Sequence, residues 1–231
     1  MSPTAWVKES VFGIWFLNTD MWFERVLKRA IGDLDRMLPE PRKRYPLILD
    51  VGCGRGNSFE LLDEYFNPDH ISGIEVDEIL LADAKKQAEA RRCSIDLITG
   101  NAEAMPYPDQ SFDMVFCHQS FHHIVQHEKA MQEFYRVLKP GGVLLFAESC
   151  RKFIHSFSIR LLFRHPMDVQ KTAEEYIDLI KQAGFEVTPE NISKPYLWWS
   201  RPDFGALEWF GFKVPEVREE TLVNLVAVKR D

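Results

Sequence analysis

The chain has 231 residues, 45% of them hydrophobic and 27% charged, which is ordinary for a globular protein and excludes a disordered or fibrous architecture. Its formal net charge of −7 disfavours a protein whose whole surface follows a phosphate backbone. Because the sequence shows neither an apolar run of about 18 residues nor a basic and apolar secretory leader, we expect a cytoplasmic protein without a membrane span.

Residues 1–45 are predicted to form a helical segment ahead of the main domain. A stripe of mostly apolar and aromatic residues recurs there at helical spacing, at Phe12, Trp15, Phe16, Thr19, Trp22, Phe23, Val26, Leu27 and Ala30. Such a stripe predicts a buried helix face, and packing against the sheet is the simplest interpretation. A lid that covers an apolar ligand is the alternative.

From residue 47 onward, short β-branched segments alternate with longer segments of helical period, which predicts a parallel sheet with crossover helices. Strands are predicted at 47–51, 71–75, 95–99, 112–117, 143–147, 185–188 and 222–228. Helices are predicted at 58–65, 78–91, 128–138 and 172–183. The sequence therefore indicates an α/β domain over 46–231 with seven strands. Two segments near 150–170 and 193–219 break the alternation, and we interpret them as insertions that recognise a substrate.

A glycine-rich segment joins the first predicted strand to the next helix, at the edge where open α/β sheets bind ligands. It places Gly52, Gly54 and Gly56 at alternate positions after Asp50. Glycines permit unusual backbone dihedrals and let a ligand lie against the main chain. The third glycine comes one residue earlier than in the pattern that binds a dinucleotide pyrophosphate, so the spacing disfavours such a cofactor. A simple tight turn is the alternative.

Two further polar segments follow the second and third predicted strands. Glu75, Val76 and Asp77 end the second strand, and a loop that begins with Gly100 carries Asn101 after the third. Because the carboxyl ends of parallel strands meet at one edge, both segments are expected beside the glycine loop. Asp77 is predicted to be the N-cap of the following helix.

In their order and spacing, these segments resemble the motifs of class I S-adenosylmethionine-dependent methyltransferases, in the branch of the ubiquinone and menaquinone biosynthesis enzymes. Residues 109–116 are similar to the family's fourth strand, and residues 136–142 to the end of the helix before its fifth. The resemblance covers about residues 47–148. It implies a Rossmann-like, doubly wound and mostly parallel sheet with an antiparallel last strand, and S-adenosylmethionine as the cofactor. The N-terminal helical segment lies outside the resemblance, and its role as a lid or cap is predicted from the aromatic stripe alone.

The resemblance also implies a role for each motif residue. Asp50 would face the cationic methionine part of the cofactor, Glu75 would accept hydrogen bonds from the ribose, and Asn101 would bond the adenine edge. The implied cofactor-binding residues are Asp50, Gly52, Cys53, Gly54, Gly56, Glu75, Val76, Asn101, Ala102 and His118. Two charge-assisted bonds to ribose would contribute roughly 1.5–3 kcal/mol each. Helix capping by both Glu75 and Asp77 is the alternative.

Histidines cluster after the fourth predicted strand, where related enzymes bring cofactor and acceptor together. We interpret His118 as a cofactor contact first and a general base second, and His122 as a further catalytic candidate. A buried, neutral histidine is the alternative for His118. His123 and His127 have the spacing of a helical metal site, but no third ligand is evident beside them, so we expect no metal.

Both insertions are rich in large apolar residues. Residues 151–165 are also basic, which suits a packed helix with solvated charges or, alternatively, peripheral contact with a membrane or a lipid-like acceptor. Residues 196–212 carry a second aromatic cluster. Together with the resemblance, these flanks predict methyl transfer to the oxygen or carbon of a small, apolar or aromatic molecule.

Other functions stay open at the level of the sequence. A dinucleotide-dependent oxidoreductase is disfavoured by the early third glycine and by Asp50, and an RNA-directed methyltransferase by the net charge. A non-enzymatic binding protein that keeps the fold is a further alternative. The sequence identifies neither the methyl acceptor nor the oligomeric state.

Overall fold

The computed structural model describes residues 7–39, 44–201, 206–213 and 218–230. A mixed sheet forms the centre of this part of the protein. Its strands are β1 (Leu47–Val51), β2 (His70–Glu75), β3 (Ser94–Thr99), β4 (Phe112–His118), β5 (Leu138–Ser149), β6 (Ile192–Ser193) and β7 (Leu222–Val228).

The seven strands lie in the order β3-β2-β1-β4-β5-β7-β6. Neighbouring strands from β1 to β5 are parallel, whereas β7 is antiparallel to both β5 and β6. The prediction of a doubly wound, mostly parallel sheet with an antiparallel last strand is confirmed. The order reverses between β1 and β4, and sheets of this kind bind ligands in the crevice at that point.

Helices cover both faces of the sheet. In chain order they are α1 (Val11–Phe16), α2 (Asp20–Trp22), α3 (Lys28–Arg36), α4 (Phe59–Phe66), α5 (Glu78–Ala88), α6 (His127–Val137), α7 (Arg151–Ile154), α8 (Phe157–Leu162), α9 (Ala173–Gln182) and α10 (Ala206–Trp209). A π-helical turn, Phe23–Leu27, joins α2 to α3 without a break. Within the described ranges, no helix has the length and apolar character needed to cross a membrane.

Two hydrophobic layers hold these helices against the sheet. On one face, Ile31 of α3 and Phe59 of α4 are buried against the strands. On the other, Phe134 of α6 and Tyr176 of α9 are buried. Full burial of one such apolar side chain contributes about 1.5–3 kcal/mol, so the two layers fix the strand ends that carry the site.

The sixth strand differs from its prediction. The expected strand at 185–188 is wrong, because that segment makes only an isolated antiparallel bridge between Glu186 and Val228. Pro189 begins a short 3-10 turn, Pro189–Asn191, and this turn interrupts the pairing with β7. The chain pairs with β7 again only at Ile192–Ser193.

The N-terminal stripe divides between two environments. Leu27 and Ala30, at the end of the stripe, are buried in the core, as the packing interpretation requires. Phe12 and Trp22, from α1 and α2, instead line a cavity at the carboxyl ends of the strands. The lid interpretation therefore concerns α1 and α2, where it stays a prediction.

Candidate active site

The glycine loop between β1 and α4 turns through three left-handed residues. The φ angles of Gly52, Gly54 and Gly56 are 71°, 53° and 78°. A Cβ on Gly52 would lie 2.5 Å from the Cβ of Ser120, so glycine is needed there for the loop after β4 to approach. A Cβ on Gly54 would meet nothing within 4 Å, and this residue lines the cavity. The main chain at Gly54 is therefore open to a ligand.

Asp50 lies near the end of β1, with a relative exposure of 2%. The hydroxyl of Ser58 donates a hydrogen bond to its carboxylate. Burial raises the pKa of Asp50 to about 7, and the nearby carboxylate of Glu75 adds to the rise. No cationic side chain of the described residues forms an ion pair with Asp50. A cationic group of a ligand would stabilise the ionised form of this residue.

Glu75 is the last residue of β2 and reaches across to the glycine loop. One carboxylate oxygen accepts the N–H of Gly54 at 3.0 Å, and the other accepts those of Val76 and Asp77 at 2.8 and 3.0 Å. Burial raises the pKa of Glu75 even though these three N–H groups oppose the rise. The side chain lies on the wall of the cavity.

Asp77 caps the helix that follows β2. Its carboxylate accepts the N–H of Ile79 at 3.0 Å, which confirms the prediction that it caps α5. The ammonium group of Lys8 lies 2.9 Å from the same carboxylate and holds the pKa of Asp77 below its ordinary value, although burial opposes this. Lys8 thereby ties the chain ahead of α1 to the rim of the site.

The loop after β3 closes another side of the cavity. Asn101 and Ala102 both line it. The side-chain oxygen of Asn101 accepts the N–H of Glu103 at 3.0 Å, which is a local turn contact. The amide group of Asn101 is thus oriented by its own loop at the place where the sequence predicted an adenine contact.

These elements surround a cavity of about 360 Å³, which is in the range of small-molecule sites. The glycine loop, Glu75 and the loop after β3 form one side. Aromatic side chains from the N-terminal helices and the two insertions form much of the remaining wall: Phe12, Phe16, Trp22, Phe153, Phe163, Trp198 and Trp199. A polar edge of the sheet and an aromatic wall therefore line the same cavity.

A smaller cavity of about 90 Å³ shares Gly52, Gly54 and Trp22 with the larger one. The predicted site residues Asp50 and Cys53 line it together with His118. Gly56 lines neither cavity. It packs against Phe59 of α4, since a Cβ on Gly56 would lie 2.5 Å from that ring.

His118 ends β4 and packs between two aromatic rings. Its ring centroid lies 5.5 Å from that of Trp22 and 6.0 Å from that of Phe116. Burial lowers the pKa of His118 to about 4, and its Nε2 has no hydrogen-bond partner in the described part of the chain. A neutral imidazole of such low basicity suits a contact with the cofactor better than proton abstraction.

His122 is buried on the larger cavity and is held by a carboxylate that the sequence reasoning missed. Its Nδ1–H donates to Glu148 at 2.5 Å. The other oxygen of Glu148 accepts the N–H groups of Ser120 and Phe121 at 2.9 and 2.8 Å. Glu148 lies fully buried near the end of β5, where an acid directly after the apolar run 143–147 was the available signal.

Two other histidines join His122 on this wall. The ring centroid of His123 is 4.5 Å from that of His122, and His165 from the first insertion lies 5.0 and 4.9 Å from the two. Burial lowers the pKa of His123, and it lowers the pKa of His165 to about 3, so both rings are neutral. His127 points elsewhere and stacks on Phe121. The structure thus brings His165, and not His127, to His123.

Comparisons with known proteins agree with this architecture. Residues 49–146 match the family described as the methyltransferase domain. Demethylmenaquinone methyltransferase from Thermus thermophilus is 36% identical over 132 residues, covering 57% of this chain and 59% of that protein. Phosphoethanolamine N-methyltransferase from Triticum aestivum is 27% identical over 140 residues, covering 61% of this chain but 24% of that protein. The chain therefore spans less than two thirds of these relatives.

A solved structure of Haemonchus contortus phosphoethanolamine N-methyltransferase 2, in complex with phosphomonomethylethanolamine and S-adenosylhomocysteine, shares the fold. Its TM-score is 0.68 at 20% identity, over 95% of this chain and 57% of that one. The family prediction is confirmed by the sequence match together with the strand order. Over residues 49–146, this chain therefore resembles the class I S-adenosylmethionine-dependent methyltransferases, in the branch of the ubiquinone and menaquinone biosynthesis enzymes.

Proposed function

We propose that this protein transfers the methyl group of S-adenosylmethionine to an oxygen or carbon atom of a small, apolar or aromatic molecule. One observation carries the proposal. The glycine loop and the Glu75 carboxylate open onto the same cavity as a wall of aromatic side chains, including Phe12, Trp22 and Phe163.

The polar side of the cavity suits the cofactor. The open main chain at Gly54 lies 3.0 Å from the carboxylate of Glu75, so a ribose over the loop would reach an acceptor for its hydroxyl groups. Asp50 offers a buried carboxylate to the cationic end of the ligand, and Asn101 and Ala102 line the side where the adenine would lie. Gly52 and Gly54 line both cavities and therefore connect the proposed methionine end of the site with the proposed adenine end.

The aromatic side suits the acceptor. A relative named for demethylmenaquinone suggests an apolar ring, whereas one named for phosphoethanolamine suggests a small charged molecule. The described wall is mostly aromatic and aliphatic, and this favours the ring. Aromatic faces bury a large apolar area and prefer to pack against another ring. We propose that α1 and α2 act as a lid over this part of the cavity.

Catalysis would depend mainly on positioning. The sulfonium of the cofactor is already a strong electrophile, so the protein has to align the acceptor atom with the methyl group, which can contribute roughly 7–11 kcal/mol. The aromatic wall would exclude water from the sulfonium. An acidic hydroxyl on the acceptor also has to lose a proton. His122 lines the cavity with its Nδ1–H fixed on Glu148, so its other nitrogen is available to bind that hydroxyl.

Isothermal titration calorimetry with S-adenosylmethionine, S-adenosylhomocysteine and NAD tests the first step. We expect binding of the first two and none of the third. A protein that bound NAD and neither methionine-derived ligand would be a dinucleotide enzyme. The acceptor class is then tested with methyl-labelled cofactor and a metabolite extract divided by polarity. Label that appears only in polar, charged products would contradict an apolar acceptor.

A further inference from the structure

Three imidazole rings meet on the wall of the large cavity. His122 and His123 lie in the turn after β4, and His165 lies in the insertion after β5. One nitrogen of each ring lies within 4.8 Å of a nitrogen of the other two. Phenylalanine rings would fill the same space without burying polar atoms. Burying a ring nitrogen that has no hydrogen-bond partner costs free energy. Packing alone therefore does not account for three histidines.

Hydrogen bonds fix which nitrogen of two rings carries the proton. The Nδ1–H of His122 donates to Glu148 at 2.5 Å, and the Nδ1–H of His123 donates to the carbonyl of Val7 at 3.2 Å. In a neutral imidazole, this leaves a lone pair on each Nε2. Histidines that ligate metals are oriented in the same way, with the other ring N–H on a carboxylate or a backbone carbonyl.

The third ring and a nearby carboxylate complete the donor set. The Nδ1 of His165 is buried and has no hydrogen-bond partner among the described residues. A carboxylate oxygen of Glu9 lies 3.7 Å from Nε2 of His123, and Glu9 lines the cavity. A buried nitrogen without a partner costs about 1–3 kcal/mol, which coordination of a cation would offset.

We propose that His122, His123 and His165 bind one divalent first-row transition cation, such as Zn²⁺, with Glu9 beside it as a carboxylate ligand. Neutral imidazoles with a carboxylate are a preferred donor set for this class of ion. At a Zn–N distance of about 2.0–2.1 Å, the nitrogens of a tetrahedral site lie about 3.3 Å apart. The rings therefore draw together by up to about 1.5 Å when the ion binds.

The bound ion would also activate the acceptor, a role that rests on the proposed function. With the ion bound, Nε2 of His122 contacts the ion instead of the acceptor, and a hydroxyl oxygen of the acceptor would enter as a fifth ligand. The ion would lower the pKa of that hydroxyl so that its proton leaves to water. The oxygen lone pair then forms the bond to the methyl carbon. The carbon–sulfur bond breaks, and its electron pair stays on sulfur as the neutral thioether.

Binding of Co²⁺ to the chelator-treated full chain tests the site, because this ion gains visible absorption bands when imidazoles coordinate it in a site of low coordination number. We expect one equivalent of Co²⁺ to produce the bands and Zn²⁺ to displace it. The substitution His165→Ala should weaken Co²⁺ binding by at least about tenfold. His155→Ala is the matched control, because His155 lies exposed in the same insertion, and it should bind Co²⁺ as the wild type does.

Two results would overturn the proposal: wild-type protein without the Co²⁺ bands, or bands and affinity that survive in His165→Ala. Circular dichroism and calorimetry with S-adenosylhomocysteine are measured on the same metal-free samples. A folded His165→Ala variant that keeps cofactor binding while losing Co²⁺ locates the ion at this cluster. Failure of the cofactor to bind the wild type would count against the proposed function and leave the metal result standing.

Discussion

The carboxylate of Glu75 accepts the backbone N–H of Gly54 at 3.0 Å and so joins the end of β2 to the glycine loop that leaves β1. The same side chain is buried and lines the cavity. A residue that holds the loop and also faces a ligand has to keep both its shape and its charge.

Glu75→Gln keeps the size of the side chain and removes its charge. Because the NH2 group of glutamine cannot accept a hydrogen bond, the contact with Gly54 or the contacts with Val76 and Asp77 are also lost. We expect the affinity for S-adenosylhomocysteine to fall about ten- to hundredfold, because charge-assisted bonds to ribose become neutral ones. Calorimetry measures the change. Glu89→Gln is the control, since Glu89 lies exposed at the end of α5. Equal affinities of the two variants would mean that the ribose does not depend on Glu75.

The affinity for the cofactor should depend on pH through Asp50. The pKa of Asp50 is about 7 in the ligand-free protein, and a cationic ligand favours the ionised form. We therefore expect the affinity for S-adenosylhomocysteine to rise from about pH 6 to about pH 8 and to be nearly flat over this range in Asp50→Asn. The comparison stops near pH 8, where an α-amino group begins to lose its own proton. A wild-type profile as flat as that of the variant would contradict the role given to Asp50.

The same carboxyl group should lower the stability of the ligand-free protein. Its pKa is raised from 3.8 to about 7, so between these values the folded state binds more protons than the unfolded state and stability falls as pH increases. One pKa unit corresponds to about 1.4 kcal/mol. Asp50→Asn should therefore be more stable than wild type at about pH 8, and the difference should shrink towards pH 4. Urea denaturation across this range measures it, and parallel curves for the two proteins would show that Asp50 is not the cause.

Phe163 tests the aromatic wall. Its ring packs edge-on against Phe12 and Phe16, with centroids 5.5 and 5.9 Å away, and lines the cavity. Once an acceptor is identified, Phe163→Ala should raise its KM about tenfold, because one apolar contact is lost, and should leave cofactor affinity nearly unchanged. Trp209→Ala is the control, since Trp209 is 87% exposed on α10. A KM that stays constant in Phe163→Ala would place the acceptor elsewhere.

Glu148 should matter for both stability and turnover. Glu148→Gln removes a buried charge that accepts two backbone N–H groups and the Nδ1–H of His122, so we expect a loss of about 1–3 kcal/mol in the free energy of unfolding. We also expect kcat to fall with a smaller change in the KM of the acceptor, because the orientation of His122 is disturbed. Glu64→Gln, on the exposed side of α4, should change neither. Wild-type kcat in Glu148→Gln would remove His122 from the mechanism.

The sequence predicted the site residues whose positions are set by the carboxyl ends of the parallel strands. In a parallel sheet the carboxyl ends of β1, β2 and β3 meet at one edge, so the glycine loop, Glu75 and Asn101 could be placed together without coordinates. The capping role of Asp77 followed from its position ahead of α5.

Contacts between distant segments were not predictable in this way. His165 contacts His123 because the irregular insertion brings the two rings together. The hydrophobic periodicity of the sequence does not predict where such an insertion lies. The segment 185–188 has a strand-like composition, but the 3-10 turn Pro189–Asn191 interrupts its pairing, and the energy of one bridge depends on tertiary context. The N-terminal stripe has one helical period throughout, so the sequence could not separate its core side from its cavity side.

The π-helical turn Phe23–Leu27 lies between Trp22, which lines the cavity, and α3, whose Ala30 is buried in the core. One additional residue in a helical turn rotates everything that follows by about 100° relative to what came before. A regular helix would place Trp22 and Ile31, nine residues apart, on opposite faces, and the π turn reduces the angle between them to about 80°. Trp22 lines the cavity, and Ile31 on the same continuous helix is buried against the strands. One continuous helix therefore lines the cavity at one end and packs in the core at the other. A substitution upstream of the turn would therefore change the cavity, and one downstream would change the packing against the sheet.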